Sequence, residues 1–233
     1  MSDPSGPLSP TGRSTPRREK ERAQEDRAAL YDVLDAAQIC HLALVVDGVP
    51  LALPTVFAVA LDGPDRGGTL YVHGSVASRS LVQAPEQDLS VTVTVLDGLV
   101  LARSGFHHSM NYRSAVVIGR PRVVAEPEER ARALDLLVEH VVPGRAATLR
   151  RPTRKELAAT QVLALSLHEA SVKQRTGDPE DEPEDLEQGV WAGVVPLGMV
   201  AGEVVTSADA AGVVVPGEVL RRAESLRAES LQT

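Results

Sequence analysis

LVLARSGFHHSMNYRSAVVIG, Leu99 to Gly119, is the stretch from which the rest of the chain is read. Its ends, Leu99–Ala102 and Ala115–Ile118, are rich in Val, Leu and Ile and short enough to be sheet strands. Between them stand hydroxyls, two adjacent imidazoles, two arginines, an amide and a phenol. A purely structural connection has little use for that set. The pattern therefore places Arg103–Ser114 at or between strand ends, where polar groups can face a ligand.

Upstream, RAALYDVLDAAQ (27–38) sets Leu30, Val33, Leu34 and Ala37 on one helical face. ICHLALVV then reaches Asp47-Gly48 and leaves through VPLALPTVFAVAL, a hairpin signal because both turn positions favour positive φ. Pro50 and Pro54 lack ladder donors, which makes the second strand interrupted or an edge. TLYVHG is a third strand, SVASRSLVQ a helix start, and Asp97-Gly98 between DLSVTVTVL and LVLARS a second expected hairpin.

Downstream, Glu126–Val142 is a helix with Pro127 at its first turn and apolar Leu134, Leu137, Val138 and Val141 at helical spacing. Thr153 and Glu156 have capping-box spacing, and VLALSLHEASV is the next strand. DPEDEPEDLE (178–187) is too acidic and too broken by proline to fold, and reads as a mobile solvated loop. GVWAGVVPLGMVAGEVV gives one or two last strands. About seven short strands joined largely by hairpins predict a mainly β fold, a small closed or split antiparallel barrel with peripheral helices. No GxGxxG follows a strand and no GxxxxGK[ST] is present.

A net charge of -8 argues against a nucleic-acid or acidic-membrane role. Residues 1–24, rich in Pro, Ser, Gly and charge, read as a disordered tail with neither a signal peptide nor a membrane anchor. A single domain is expected over 25–205, followed by a tail over 206–233 that is either frayed or a short amphipathic helix. The one cysteine, Cys40, lies in an apolar run and reads as a small core residue; a reducing, cytoplasmic location fits it. His41 on the same strand reads as a core histidine.

Among residues that can carry chemistry, HGSVASRSL (73–81) ends a strand and begins a helix. Free amides, the hydroxyls of Ser75, Ser78 and Ser80 and the Arg79 guanidinium can meet an anion there, or form an ordinary capped helix beside a solvated arginine. His107-His108 has no ligand spacing for zinc, since strand neighbours point to opposite faces. No metal site is expected.

LVLARSGFHHSMNYRSAVVIG closely resembles the signature of the pyridoxamine 5'-phosphate oxidase-like flavoproteins, in the flavin-nucleotide-binding or nitroimidazole-reductase-like branch. ICHLALVVDGVPLALPTVF, LYVHGSVASRSL, VVPGR, SVKQRTG and VWAGVVPL support the resemblance in order, over roughly Leu30–Leu197. It implies an FMN-binding split β-barrel homodimer. It further implies that Pro54, Thr55 and Val56 read the flavin ring edge and that His73, Gly74, Ser75, Ser78, Arg79 and Ser80 surround the cofactor phosphate. Asn111, Arg113 and Ser114 supply hydrogen bonds to the flavin, and Lys173 and Trp191 pack near it. An aromatic residue after PGR is usual in such proteins. Ala146 stands there, so one wall of the pocket is missing or supplied from elsewhere. The activity implied is a flavin-dependent oxidoreductase taking hydride from NAD(P)H and reducing a small organic acceptor, with no evident acid or base residue. A non-catalytic flavin module, a deazaflavin protein, and a haem protein using His107 or His108 are the alternatives.

Overall fold

Asp26 closes an extended segment and opens a helix by accepting a hydrogen bond from the Ala28 amide at 2.9 Å. In this computed structural model, which describes residues 7–8 and 10–229, a two-residue strand β1 (Ala23–Gln24) thus leads into α1 (Arg27–Ala36). Leu30, Val33 and Leu34 on α1 are buried, as their spacing requires. The chain continues through β2 (Cys40–Val46), β3 (Val49–Thr55), β4 (Phe57–Ala60), β5 (Thr69–Ser75), α2 (Arg79–Gln83), β6 (Leu89–Leu101), β7 (Ser109–Gly119) and β8 (Arg122–Val123). Then come α3 (Pro127–Val141), α4 (Arg154–Ala159), β9 (Thr160–Ser166), β10 (Ala170–Arg175), α5 (Pro183–Leu186), β11 (Gly193–Pro196) and α6 (Gly217–Glu229).

The chain divides into two compact units. The first runs to Thr94 and includes Ser114–Lys173; the second holds Val95–Arg113 and the chain from Gln174. One antiparallel sheet has the order β1-β10-β7-β6-β2-β3, and another, within the first unit, the order β4-β5-β9-β8. Asp47 and Gly48 take φ of 50° and 80° in the β2–β3 turn, and Pro50 and Pro54 lie on the edge strand β3, where a missing donor costs no ladder bond. Val56 is the single residue between β3 and β4, where the chain passes from one sheet to the other. Phe57, Leu30, Leu70 and Leu163 are fully buried, and Ala133 of α3 packs with Tyr71, Val162 and Ala164. Tyr71 donates to Glu129 (2.9 Å), and Arg122 bridges Glu129 and Asp65. Desolvation and that acceptor push the Tyr71 hydroxyl up to about 12. In the second unit, β11 pairs with the end of β6, Gly193 opposite Leu101 and Pro196 opposite Gly98.

Several expectations are corrected. Asp97-Gly98 is no turn: β6 runs straight through it. Neither residue has positive φ, and Gly98 instead lets β11 lie close, since a Cβ there would stand 3.0 Å from Val194. VLALSLHEASV is two strands, β9 and β10, in different sheets. Ser109–Ser114 belong to β7, which leaves only 103–108 as the connection. His41 is exposed on β2. Residues 178–187 are not wholly a solvated loop, because Pro183–Leu186 form α5 and Asp181 grips Arg103 through its amide and guanidinium, both at 2.8 Å. Burial alone would raise the Asp181 carboxyl, but these two donors outweigh it and hold it below its ordinary range.

The expected tail also differs where it is described. Arg13 binds Glu169 and Asp88, Leu8 and Ser14 are buried, and β1 pairs with β10. Composition counts apolar surface, whereas this segment is held by charge-assisted hydrogen bonds. Positions 1–6, 9 and 230–233 of the expected tails lie outside the described residues. Cys40 is fully buried, and burial pushes its thiol up to about 12. Among the described residues no helix is long and apolar enough to cross a membrane.

Candidate functional site

The β4–β5 ladder places Phe57 opposite Val72, so an antiparallel continuation by one residue brings Val56 to His73. Both line a cavity of about 710 Å³ within the first unit, which is in the size range of a cofactor or drug-sized ligand. Its opposite wall is α3, through Leu134, Leu137, Val138 and Val141. Those are the four positions whose spacing predicts a core-facing stripe. Val141 nevertheless remains 49% exposed, so protein alone does not cover the stripe.

The chain after α3 closes the cavity with Arg145, Ala146, Leu149, Arg150, Arg151 and Pro152. Glu139 holds this turn to the helix by accepting from the amides of Gly144 (2.5 Å) and Ala146 (2.8 Å). The Ala146 departure noted in the sequence therefore falls on the cavity wall, where a small side chain leaves room for a larger guest. Arg150 forks onto Glu156 (2.9 and 2.5 Å), and Arg151 reaches Asp135 at 2.6 Å. The Thr153–Glu156 capping box is formed, so the same carboxylate positions Arg150 and starts α4.

His73 is the cavity's one imidazole. The residue is exposed on β5, and desolvation of its ring against the cavity lowers its pKa below the ordinary imidazole value. A neutral imidazole on an apolar wall offers a nitrogen lone pair to a metal centre. Arg145, Arg150 and Arg151 line the cavity as well, the last two paired with the lining carboxylates of Glu156 and Asp135. The cavity thus combines an apolar slot, one imidazole nitrogen and three guanidiniums.

The other expected site residues are found elsewhere. Arg79, at the start of the five-residue α2, is 74% exposed and paired with Asp47 rather than aimed at an anion site. Ser78 and Ser80 hydrogen-bond each other at 2.9 Å, and Ser75 accepts from the Ala77 amide. Gly74 adjoins His73 on β5, and Pro54 and Thr55 end β3. Ser114 donates to the Lys173 carbonyl (3.4 Å), and the Lys173 ammonium donates to the Arg18 carbonyl.

In the second unit Asn111 is buried. It accepts from Arg175 (2.5 Å) and donates to the Gly177 carbonyl (3.1 Å). Arg113 forks onto Asp97 at 2.8 and 3.0 Å. Both side chains thus clasp their own unit, with their hydrogen bonds already made. Trp191 is 66% exposed. His107 sits 3.9 Å from Glu182, and His108 contacts the Ser104 carbonyl. Sequence reasoning missed Leu149, Arg150 and Arg151; the signal was a run of cations with no intervening acid after residue 144.

A mainly antiparallel β chain with a ligand-sized cavity beside its strand ends has the form of a small-molecule or cofactor-binding split barrel. The family model described as pyridoxamine 5'-phosphate oxidase matches residues 26–174, and the chain belongs to that family. Among solved structures it is similar to the flavocytochrome Anf3 from Azotobacter vinelandii, at 34% identity and a TM-score of 0.83 over 92% of this chain and 98% of that one. It is also similar to the FAD and haem binding protein from Mycobacterium smegmatis, at 42% identity and a TM-score of 0.78 over 86% and 96%. A 5-nitroimidazole antibiotic resistance protein from Bacteroides thetaiotaomicron shares the fold at 19% identity and a TM-score of 0.52, over 65% and 85%. No curated protein matches.

Proposed function

We propose that this protein is an oxidoreductase that carries a flavin nucleotide and a non-covalently bound haem, with His73 as the residue that would hold the haem iron. The observation that carries the haem assignment is the His73 imidazole on the wall of an apolar cavity of about 710 Å³. It differs from the earlier alternative, which used His107 or His108; neither lines that cavity. Leu134, Leu137 and Val138 would grip the macrocycle, and Arg145, Arg150 and Arg151 would meet its carboxylates. The single buried Cys40 leaves no thiol for thioether attachment. When bound, haem supplies one-electron chemistry and flavin two-electron chemistry, which together suit transfer from a nicotinamide to a small acceptor.

The flavin assignment rests on family membership and on the two relatives above 30% identity, a flavocytochrome and an FAD and haem binding protein. FAD is the flavin proposed here, and FMN is the alternative. A homodimer is part of the same reading and rests on the family resemblance.

An absorption spectrum of the purified protein tests the proposal. A Soret band together with flavin bands is expected, and chromatography of released cofactor assigns FAD or FMN. His73→Ala should abolish the Soret band and keep the flavin. Arg79→Ala should weaken flavin binding roughly ten- to a hundredfold if a phosphate takes that guanidinium from Asp47. A protein without a Soret band, or a His73→Ala variant that retains one, overturns the haem assignment.

A further inference from the structure

We infer that the segment 145–155 is a docking surface for an acidic electron-carrier protein, which delivers or removes electrons at the mouth of the cavity. The inference deepens the haem reading above and rests on it. Arg145, Arg150, Arg151, Arg154 and Lys155 put five cations into eleven residues that contain no Asp or Glu, in a chain whose net charge is -8. Local composition runs against the whole, and with Arg150 and Arg151 paired to Glu156 and Asp135 the surplus positive charge of the segment falls on its other cations.

The cations fall into two sets. Arg145, Arg150 and Arg151 line the cavity, and the last two are held by Glu156 and Asp135. Arg154 and Lys155 do not line it. They occupy the first turn of α4, exposed, between the lining residues Pro152 and Glu156. Among the described residues neither makes an ion pair. Two cations in a first helical turn oppose the helix dipole, so they do nothing for the helix itself. Their position between two residues that line the cavity is what the docking surface accounts for.

A polyanionic nucleic acid would meet the repulsion of the remaining acidic surface, whereas a small acidic protein needs only a local patch. Paired patches of opposite charge raise association rates by one to three orders of magnitude at low salt. An electron carrier gains from this more than a tight binder does, because it must dissociate after each transfer.

The test uses the full-length, cofactor-loaded protein and a reduced acidic plant-type [2Fe–2S] ferredoxin as the probe. Stopped-flow absorbance follows haem reduction at about 0.02 to about 0.5 M salt, where screening becomes nearly complete. The wild-type second-order rate constant should fall at least about tenfold over that range. The double variant Arg154→Glu, Lys155→Glu should react about tenfold more slowly at low salt, with little salt dependence. Its Soret intensity, haem potential and melting temperature should be unchanged, since acidic residues favour a helix start. A cofactor-loaded variant that reacts at the wild-type rate, or a wild-type rate indifferent to salt, overturns the docking surface alone. A wild-type protein without haem overturns the haem reading and the docking surface with it.

Discussion

Asn111 shows how a residue selected for ligand chemistry can be absorbed by structure. Its amide accepts from Arg175 and donates to the Gly177 carbonyl, while Arg175 also reaches the Asp178 carbonyl at 3.0 Å. Removing the amide strands a buried guanidinium donor, a loss in the range of about 1–3 kcal/mol. Asn111→Ala is therefore expected to lower stability by about that amount in urea denaturation, with flavin affinity unchanged in a parallel titration. The sequence brings such polar side chains into view, but a single chain of letters does not say whether an amide turns to a guest or to a neighbour 64 positions away. His73 was legible for the same reason in reverse. A histidine closing a β-rich run had to sit at a strand end, although the cavity it lines depended on a wall contributed by a distant helix.

At the level of elements, periodicity served well and local turn chemistry served unevenly. Asp47-Gly48 and Asp97-Gly98 are the same dipeptide between similar runs, yet one turns and the other extends. The difference lies in partners: Asp97 is drawn onto Arg113 of β7, and Gly98 lies under β11, contacts that only the folded chain supplies. Gly98→Val would drive methyl groups into Val194 and the Val195 carbonyl, which would already stand 3.0 and 3.2 Å from a bare Cβ. We expect a stability loss of roughly 1–3 kcal/mol and faster hydrogen exchange at the amides of residues 194 and 195. Unaltered protection there would show that β11 tolerates the added bulk. The α3 stripe carries the complementary lesson. Spacing identified its apolar face, but not that the face would line a cavity.

For the molecule as a whole, the least legible feature was the attachment of residues 10–24. Arg13 places its guanidinium between Glu169 and Asp88, and the Arg13 hydrogen bond, outweighing burial and aided by Thr11, holds the Glu169 carboxyl at about 2. A carboxylate depressed on folding adds stability above its ordinary value of about 4.3 and loses it as pH falls toward the folded value. The tether should therefore hold at neutral pH and release between about pH 4.5 and about pH 2. Hydrogen exchange over residues 10–24 would rise in that window. Arg13→Ala should give the released behaviour already at pH 7, and protection that is flat across the acid range would remove the tether from the account.

The oily slot beside α3 has a practical bearing on how the polypeptide is made. If haem fills it as proposed, its lining of leucine and valine will attract other amphiphiles when haem is absent. Cultures starved of porphyrin precursor should then give pale, aggregation-prone chains, and feeding δ-aminolevulinate should raise colour and yield of dispersed material together.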